Sequence, residues 1–280
     1  MSASLTILKL GGELLEPGNS LADVLSAVAA LAGEGPLAIV HGGGREIDAE
    51  TQRRGVPKRA VDGLRVTDAA TLDAVIAVLA GTVNTRLVSG LVGLGVKAVG
   101  LTGVDASLGL SVKAPAHRAV DGRLVDLGLV GQPVTGRAPS LLLDLVRLGY
   151  VPAIACLGVD AAGQVLNVNA DTLAAALAVA ARAERLIIAG GTAGVLDAEG
   201  RTIPELDAAA IDALIADGTA SAGMVAKLRA CREAIAAGVS EVAIVNGKAG
   251  LTGGTRVLAG AASPAAGSTA SQHAQEGTRQ

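Results

Sequence analysis

Short apolar runs alternate with longer stretches in which apolar residues return every third or fourth position, and this rhythm limits the chain to few architectures. Residues 5–10 have the length and continuity of a buried strand. Leu21, Val24, Leu25, Val28 and Leu31 then mark one face of a helix. Residues 36–40 read as the next strand, followed by glycines and a polar helix from about Arg45. Leu72, Val75, Ile76 and Leu79 resume the helical period, with Asp68 as the expected N-cap. Further strands are expected at 96–101, 151–156, 186–189 and 241–245. Strand–helix alternation of this kind predicts an α/β fold, with a largely parallel sheet and helices on both faces. Three turn signals interrupt it, VDGR at 120–123, DAAG at 160–163 and DAEG at 197–200, and these predict inserted β-hairpins.

The 280-residue chain has no Phe, no Trp and a single Tyr, so its core must be built from Ala, Val, Leu and Ile. Half the residues are hydrophobic and 18% are charged, which excludes a disordered chain. The missing aromatics and a net charge of -3 argue against a nucleic-acid platform, which needs stacking side chains and a basic footprint. A membrane span is not expected: the cleanest apolar run, 173–181, is closed by Arg182 after about half a bilayer's worth of residues. No basic segment precedes an apolar one at the start of the sequence, so the expected location is cytoplasmic. Cys156 and Cys231 have neither metal nor redox spacing. Cys231 shares helical spacing with Leu228 and Ile235, as a buried reduced thiol would. Residues 261–280 lose all periodicity and read as a disordered tail behind a 1–260 domain.

Five stretches could carry chemistry. HGGGREI at 41–47 follows a strand and opens a helix, where unpaired backbone N–H groups and the helix dipole favour an anion. Its spacing matches neither the dinucleotide fingerprint nor the P-loop, and taken alone it is equally a tight turn. KLGG at 9–12 sets Lys9 and Gly11 on one side of the first strand, with an ammonium beside bare backbone at the strand's C-terminal end. Open α/β sheets bind ligands at that end. Arg65, in VDGLRVTD at 61–68, can grip a carboxylate with two parallel hydrogen bonds or form a surface ion pair. In NVNAD at 167–171, Asn167, Asn169 and Asp171 share one face if the strand continues that far; otherwise Asp171 is a helix N-cap. Lys227, in SAGMVAK at 221–227, opposes the dipole of the helix it opens, a cost that a bound anion would offset.

Taken together, KLGG, HGGG, VDGLRVTD, NVNAD, GVLDAEG at 194–200 and GMVAKL at 223–228 resemble the amino-acid kinase family, and within it the kinases that act on N-acetyl-L-glutamate. The resemblance spans about residues 5–260. It implies a three-layer αβα sandwich and an ATP-dependent phosphorylation of the γ-carboxylate of N-acetyl-L-glutamate in arginine biosynthesis. It implies that Lys9 and Lys227 flank the transferred phosphoryl group while Asp171 holds the two ammonium groups in place. Arg65 and Asn167 would hold the substrate, Arg65 by its α-carboxylate, with the amides of Gly43 and Gly44 facing the substrate and the moving group. Gly11, Gly12 and Gly194 would face the nucleotide. Mg2+ is expected on the phosphates with water, with no side-chain metal ligand. A substrate lobe at about 1–166 and a nucleotide lobe at about 167–260 are implied as well.

Two departures qualify the resemblance. The family has Thr-Asp or Ser-Asp just before the GVLD turn, where this chain has Gly190 and Gly191, so a carboxylate expected near the ribose and Lys227 is missing. Only residues 1–4 precede the first strand, where arginine-inhibited members carry an extra helix. The expectation is therefore a homodimer, formed through the long helix around residues 72–94 and without arginine feedback. The alternatives are a kinase for a related acyl amino acid of the aminoadipate type and a non-catalytic amino-acid or nucleotide sensor. The intact VDGLRVTD disfavours the first, and Lys9, Asp171 and Lys227 together disfavour the second.

Overall fold

The structure is a computed structural model that describes residues 4–119, 122–220 and 222–259; the expected tail at 261–280 lies outside them. Eight strands form the central sheet. In spatial order they are Glu205–Leu206, Thr255–Val257, Glu241–Asn246, Arg185–Gly190, Thr6–Leu10, Leu37–His41, Val151–Ala155 and Ala98–Thr102. All paired neighbours run parallel except Glu241–Asn246 with Thr255–Val257. Every expected strand is present within two residues of its predicted ends. Helices Ser140–Arg147, Ala170–Ala180 and Ala222–Ala236 pack on one face, and Asn19–Glu34 with the long helix from Ala69 lie on the other. This is the three-layer sandwich.

Thr6–Leu10 is buried along its whole length, because layers cover it on both sides and a strand pairs at each edge. That position explains why it reads as a continuous apolar run instead of an alternating one. Aliphatic side chains fill the core together with Cys156 and Cys231, with Ile7, Leu8, Leu10, Ile39, Leu79 and Ile154 fully buried. Each contributes about 1.5–3 kcal/mol by leaving water. The one aromatic residue, Tyr150, is 40% exposed and takes no part in the core.

The chain from Thr6–Leu10 passes to Leu37–His41 on one side, whereas Arg185–Gly190 joins on the other, so the strand order reverses at the first strand. A crevice opens beyond the strand C-termini at such a reversal. The glycine stretches that follow Leu10, His41 and Ala189 all border it.

A second sheet, in the order Leu157–Val159, Val165–Val168, Val130–Pro133 and Ser111–Lys113, folds over that end. The turn at 160–163 joins two of its strands, with the Asp160 carboxylate accepting from the N–H groups of Ala162 and Gln164. His117–Arg118 pairs with Leu124–Val125 around the second expected turn, of which Val120 and Asp121 lie outside the described residues. The third turn closes a single bridge between Leu196 and Thr202.

Two local expectations need correction. The strand before NVNAD ends at Val168, so Asn167, Asn169 and Asp171 do not share a strand face. Asp171 is not the cap either. Asn169 is, accepting from the N–H groups of Asp171 and Thr172. Local chemistry explains this: Asn in extended backbone satisfies two orphan donors at once, which frees the Asp171 carboxylate for other partners.

Arg65 lies on a hairpin, Ala60–Val61 with Leu64–Arg65, turned at Asp62 and Gly63 with φ of 49° and 79°. The long helix Ala69–Gly93 is capped by Asp68 through Thr71 N as expected. It is long and apolar enough to cross a membrane. One side of it, including Leu79, Leu87 and Leu91, is buried in the hydrophobic core.

Candidate active site

The two glycine loops touch backbone to backbone. A Cβ on Gly12 would lie 2.6 Å from Gly43 Cα and 2.9 Å from the amides of Gly43 and Gly44, so only glycine permits the approach. A Cβ on Gly43 would meet Leu79 Cδ2 at 2.9 Å, in the π-helical turn Ala77–Val83 of the long helix. Hydrogen bonds from Gly11 N to Ala189 O and from Gly42 N to Leu10 O fix both loops to the strand ends. Helix Gly44–Arg53 opens here with no side-chain cap, which leaves its first N–H groups for an anion.

His41 supports this floor from below. It is fully buried, with Nδ1 3.2 Å from Gly42 O and Nε2 2.9 Å from Asn84 Nδ2. A neutral ring suits both contacts: Nδ1–H donates to the carbonyl and Nε2 accepts from the amide. Burial pushes its pKa down to about 4, so the ring is neutral at physiological pH.

Lys9 reaches the crevice from the first strand, and Asp171 from the first turn of helix Ala170–Ala180. The Lys9 ammonium is 2.8 Å from Asp171 Oδ1, with both side chains under 8% exposed. Burial works to neutralise Lys9, but the Asp171 carboxylate reverses this by charge and hydrogen bonding, with Glu13 adding to it. The pKa therefore lies above the ordinary lysine value. Lys227 arrives from helix Ala222–Ala236 on the other side of Asp171, 4.0 Å from Oδ2, with its ammonium 3.4 Å from Gly223 O. One carboxylate thus sits between two ammonium groups that come from elements more than 200 residues apart in sequence.

The Arg65 guanidinium donates to Gly44 O at 3.2 Å and pairs with Asp48. Burial opposes the charged form of Asp48, but hydrogen bonds from Lys58 and Arg65 overcome it and hold the carboxyl below its usual range. Asn167 Nδ2 donates to Thr67 Oγ1 at 3.0 Å. The segment after Arg65 is fastened to the second sheet by Thr67 N to Leu127 O and Leu129 N to Thr67 O. Asn167 N in turn bonds Leu129 O. These ties bring Arg65 and Asn167 to one wall.

A hollow of about 250 Å³ is lined by eight residues singled out in the sequence: Lys9, Gly11, Gly12, Gly43, Gly44, Arg65, Asn167 and Asp171. It opens into a second, of about 510 Å³, bounded by Glu13, Arg45, Lys58, Gly191 and Thr192. Lys227 stands beside Asp171 but lines neither hollow. Gly194 lies apart, with φ 140° and packed against Thr202 and Thr255. Glu13, Asp48 and Cys156 also line the hollows, and none of them was read from the sequence as a site residue. The Cys156 thiol is pushed up to about 12 by burial, so it lines the hollow as an inert apolar group. No sequence signal marked Glu13 or Asp48, because their partners are set by the fold.

The assembly can hold an anionic group between two ammonium ions over a floor of amides, with a guanidinium at the mouth for a second anion. The profile of the Amino acid kinase family matches residues 4–246. Acetylglutamate kinase from Chloroflexus aurantiacus is 42% identical over 259 residues, covering 92% of this chain and 98% of that protein. Acetylglutamate kinase from Sphingopyxis alaskensis is 40% identical over 248 residues, covering 86% and 82%. Among solved structures, smu.665 from Streptococcus mutans superposes with a TM-score of 0.76 at 28% identity, over 91% of this chain and 98% of that one.

Proposed function

The chain belongs to the amino acid kinase family, and from that premise we propose that it transfers the γ-phosphoryl group of ATP to the γ-carboxylate of N-acetyl-L-glutamate, an acyl-phosphate-forming step of arginine biosynthesis. The observation that carries this reading is the Lys9–Asp171–Lys227 cluster set over two abutting glycine loops. A carboxylate oxygen attacks the γ-phosphorus, the bond to the β,γ-bridging oxygen breaks, and ADP leaves with that electron pair. No proton moves, because the nucleophile is already ionised near neutral pH.

What the protein must supply is position and positive charge for the equatorial oxygens. Lys9 and Lys227 supply the charge from two sides, and Asp171 keeps their ammonium groups apart and aimed. Gly43 and Gly44 present amides to the substrate and the moving group, while Gly11 and Gly12 approach the nucleotide phosphates. Arg65 takes the substrate α-carboxylate, and Asn167 its polar acyl-amino end. The substrate lobe would be about 1–166 and the nucleotide lobe about 167–260, with Asn167 reaching the substrate from the boundary and Gly11 and Gly12 reaching the phosphates from the first lobe.

Asp171 is committed to two ammonium groups. That carboxylate is therefore not available as a metal ligand, and Mg2+ would be held by the nucleotide phosphates and water, where it would supply charge neutralisation. We also propose a cytoplasmic homodimer. The outward side of the Ala69–Gly93 helix, with Ala77, Gly81 and Thr85 exposed, supports that pairing.

Trapping with hydroxylamine tests the reaction. With MgATP, N-acetyl-L-glutamate should give a hydroxamate, and N-acetyl-L-aspartate and N-acetyl-L-2-aminoadipate should give little. A faster reaction with the aminoadipate would transfer the proposal to that substrate, and no hydroxamate with any of them would refute it.

A further inference from the structure

The tip of strand Arg185–Gly190 enters the crevice with no side chain: its last residue is Gly190 and the next is Gly191. The space over this bare backbone is filled from the first glycine loop. Glu13 crosses from the turn Gly12–Leu14, and its Oε1 accepts from Gly191 N at 3.0 Å, a bond between residues 178 apart. A Cβ on Gly190 would lie 3.3 Å from that same oxygen and 3.6 Å from Lys227 Cε. The Glu13 carboxylate and the end of Lys227 therefore face each other across Gly190. Glu13 also borders both hollows, so it stands where they join.

Lys227 needs a second partner more than Lys9 does. Lys9 is held by Asp171 at 2.8 Å and is nearly inaccessible, whereas Lys227 reaches only 4.0 Å from that carboxylate and is 19% exposed. An ammonium held by one distant carboxylate and one long bond to Gly223 O samples many positions. A second carboxylate on its opposite side narrows them. Gly190 is held in the sheet beside Asn246, and the chain leaves the sheet at Gly191, whose amide donates to Glu13.

Resting on the kinase reading above, we propose that Glu13 is a positioning residue for the nucleotide half of the site. It fixes the Gly190–Gly191 tip through the Gly191 amide and aims Lys227 at the transferred group through its charge. The two tasks separate chemically. Gln at position 13 keeps the oxygen that accepts from Gly191 but loses the charge, and Ala loses both. The geometry also names a substitute: a Cβ on Gly191 would lie 3.6 Å from Glu13 Cγ, an ordinary contact, so Asp at 191 would place a carboxylate in the volume that Glu13 vacates.

The test measures kcat, both KM values and the affinity for a non-hydrolysable ATP analogue with Mg2+ in four proteins: wild type, Glu13→Gln, Glu13→Ala and the double variant Glu13→Ala with Gly191→Asp. For Glu13→Ala, analogue binding should weaken and kcat should fall, each about tenfold, the size expected for one charge-assisted hydrogen bond. The KM for N-acetyl-L-glutamate should stay within about twofold, because Arg65 and Asn167 are not disturbed. Glu13→Gln should bind the analogue almost as wild type does while keeping most of the kcat loss. The double variant should recover kcat, because it restores a carboxylate beside Lys227, but not the analogue affinity, because a side chain on residue 191 cannot accept from its own N–H. Unchanged analogue affinity and kcat in Glu13→Ala, or a kcat loss that Gly191→Asp does not reverse, would overturn the proposal. Analogue binding is read without turnover, so a wild type that makes no acyl phosphate would refute the kinase reading and still leave Glu13 testable.

Discussion

Lys9 remains charged inside a core because Asp171 is 2.8 Å away, and the stability of that arrangement depends on both partners. Removing one partner of a buried pair leaves the other uncompensated, at about 3–5 kcal/mol. Asp171→Asn and Lys9→Met should therefore each lower the urea midpoint as well as the rate, the rate in Lys9→Met by roughly 10²–10³. Urea titration and initial rates of ADP release check the two parts. His41 adds a pH signature. Its folded pKa, about 4, lies below the ordinary value of 6.5, so between these values the unfolded chain binds the proton that the folded chain refuses. The contribution is complete above pH 6.5 and is lost as the pH falls toward 4. Between pH 7.5 and 5 it should cost about 2 kcal/mol. Comparing urea midpoints of wild type and His41→Gln at the two pH values isolates it, because the variant should lose that share of the slope. At this scale, Lys9 and Asp171 were legible because a charge within an apolar run stands out. Glu13 and Asp48 were not, since each is defined by a partner 178 or 17 residues away.

Elements decide where those residues point. Strand Val165–Val168 ends one residue before Asn169, and the Asn169 cap starts a helix that presents Asp171 to Lys9. Asn169→Ala should cost about 1 kcal/mol of stability. It should also lower kcat more than it raises either KM, because it loosens Asp171 without touching the substrate wall. Thermal melts and steady-state kinetics would show whether both effects occur. The Leu79 and Val83 side chains against Gly43 make the glycine floor depend equally on the long helix. The strands and major helices were readable from apolar period alone, since burial on both faces writes itself into composition. The hairpin at Asp62 and Gly63 carried a strong turn signal, Asp-Gly, but its strands are two residues each, too short to show alternation. The cap at Asn169 was obscured because Asn and Asp at neighbouring positions are both good caps.

At the scale of the whole molecule, the sheet reversal at the first strand brings together glycine loops, two lysines and an arginine that sequence order keeps apart. The lack of aromatic residues costs such a site little, because amides and charges do the binding. The proposed dimer belongs to this scale too. Light scattering should give twice the 27.4 kDa chain mass, and Ala77→Arg on the outward side of the long helix should shift it toward the monomer. A monomeric wild type would remove the proposal.

The central claim is that the γ-carboxylate itself attacks phosphorus, and oxygen labelling tests it most directly. N-acetyl-L-glutamate carrying 18O in the γ-carboxylate is turned over with MgATP and hydroxylamine, which expels phosphate from the acyl phosphate. The account predicts one 18O atom in each released inorganic phosphate, read by mass spectrometry, and its loss in Lys227→Ala together with the hydroxamate. Phosphate released without the label would mean that water attacks in place of the carboxylate, and would contradict the account.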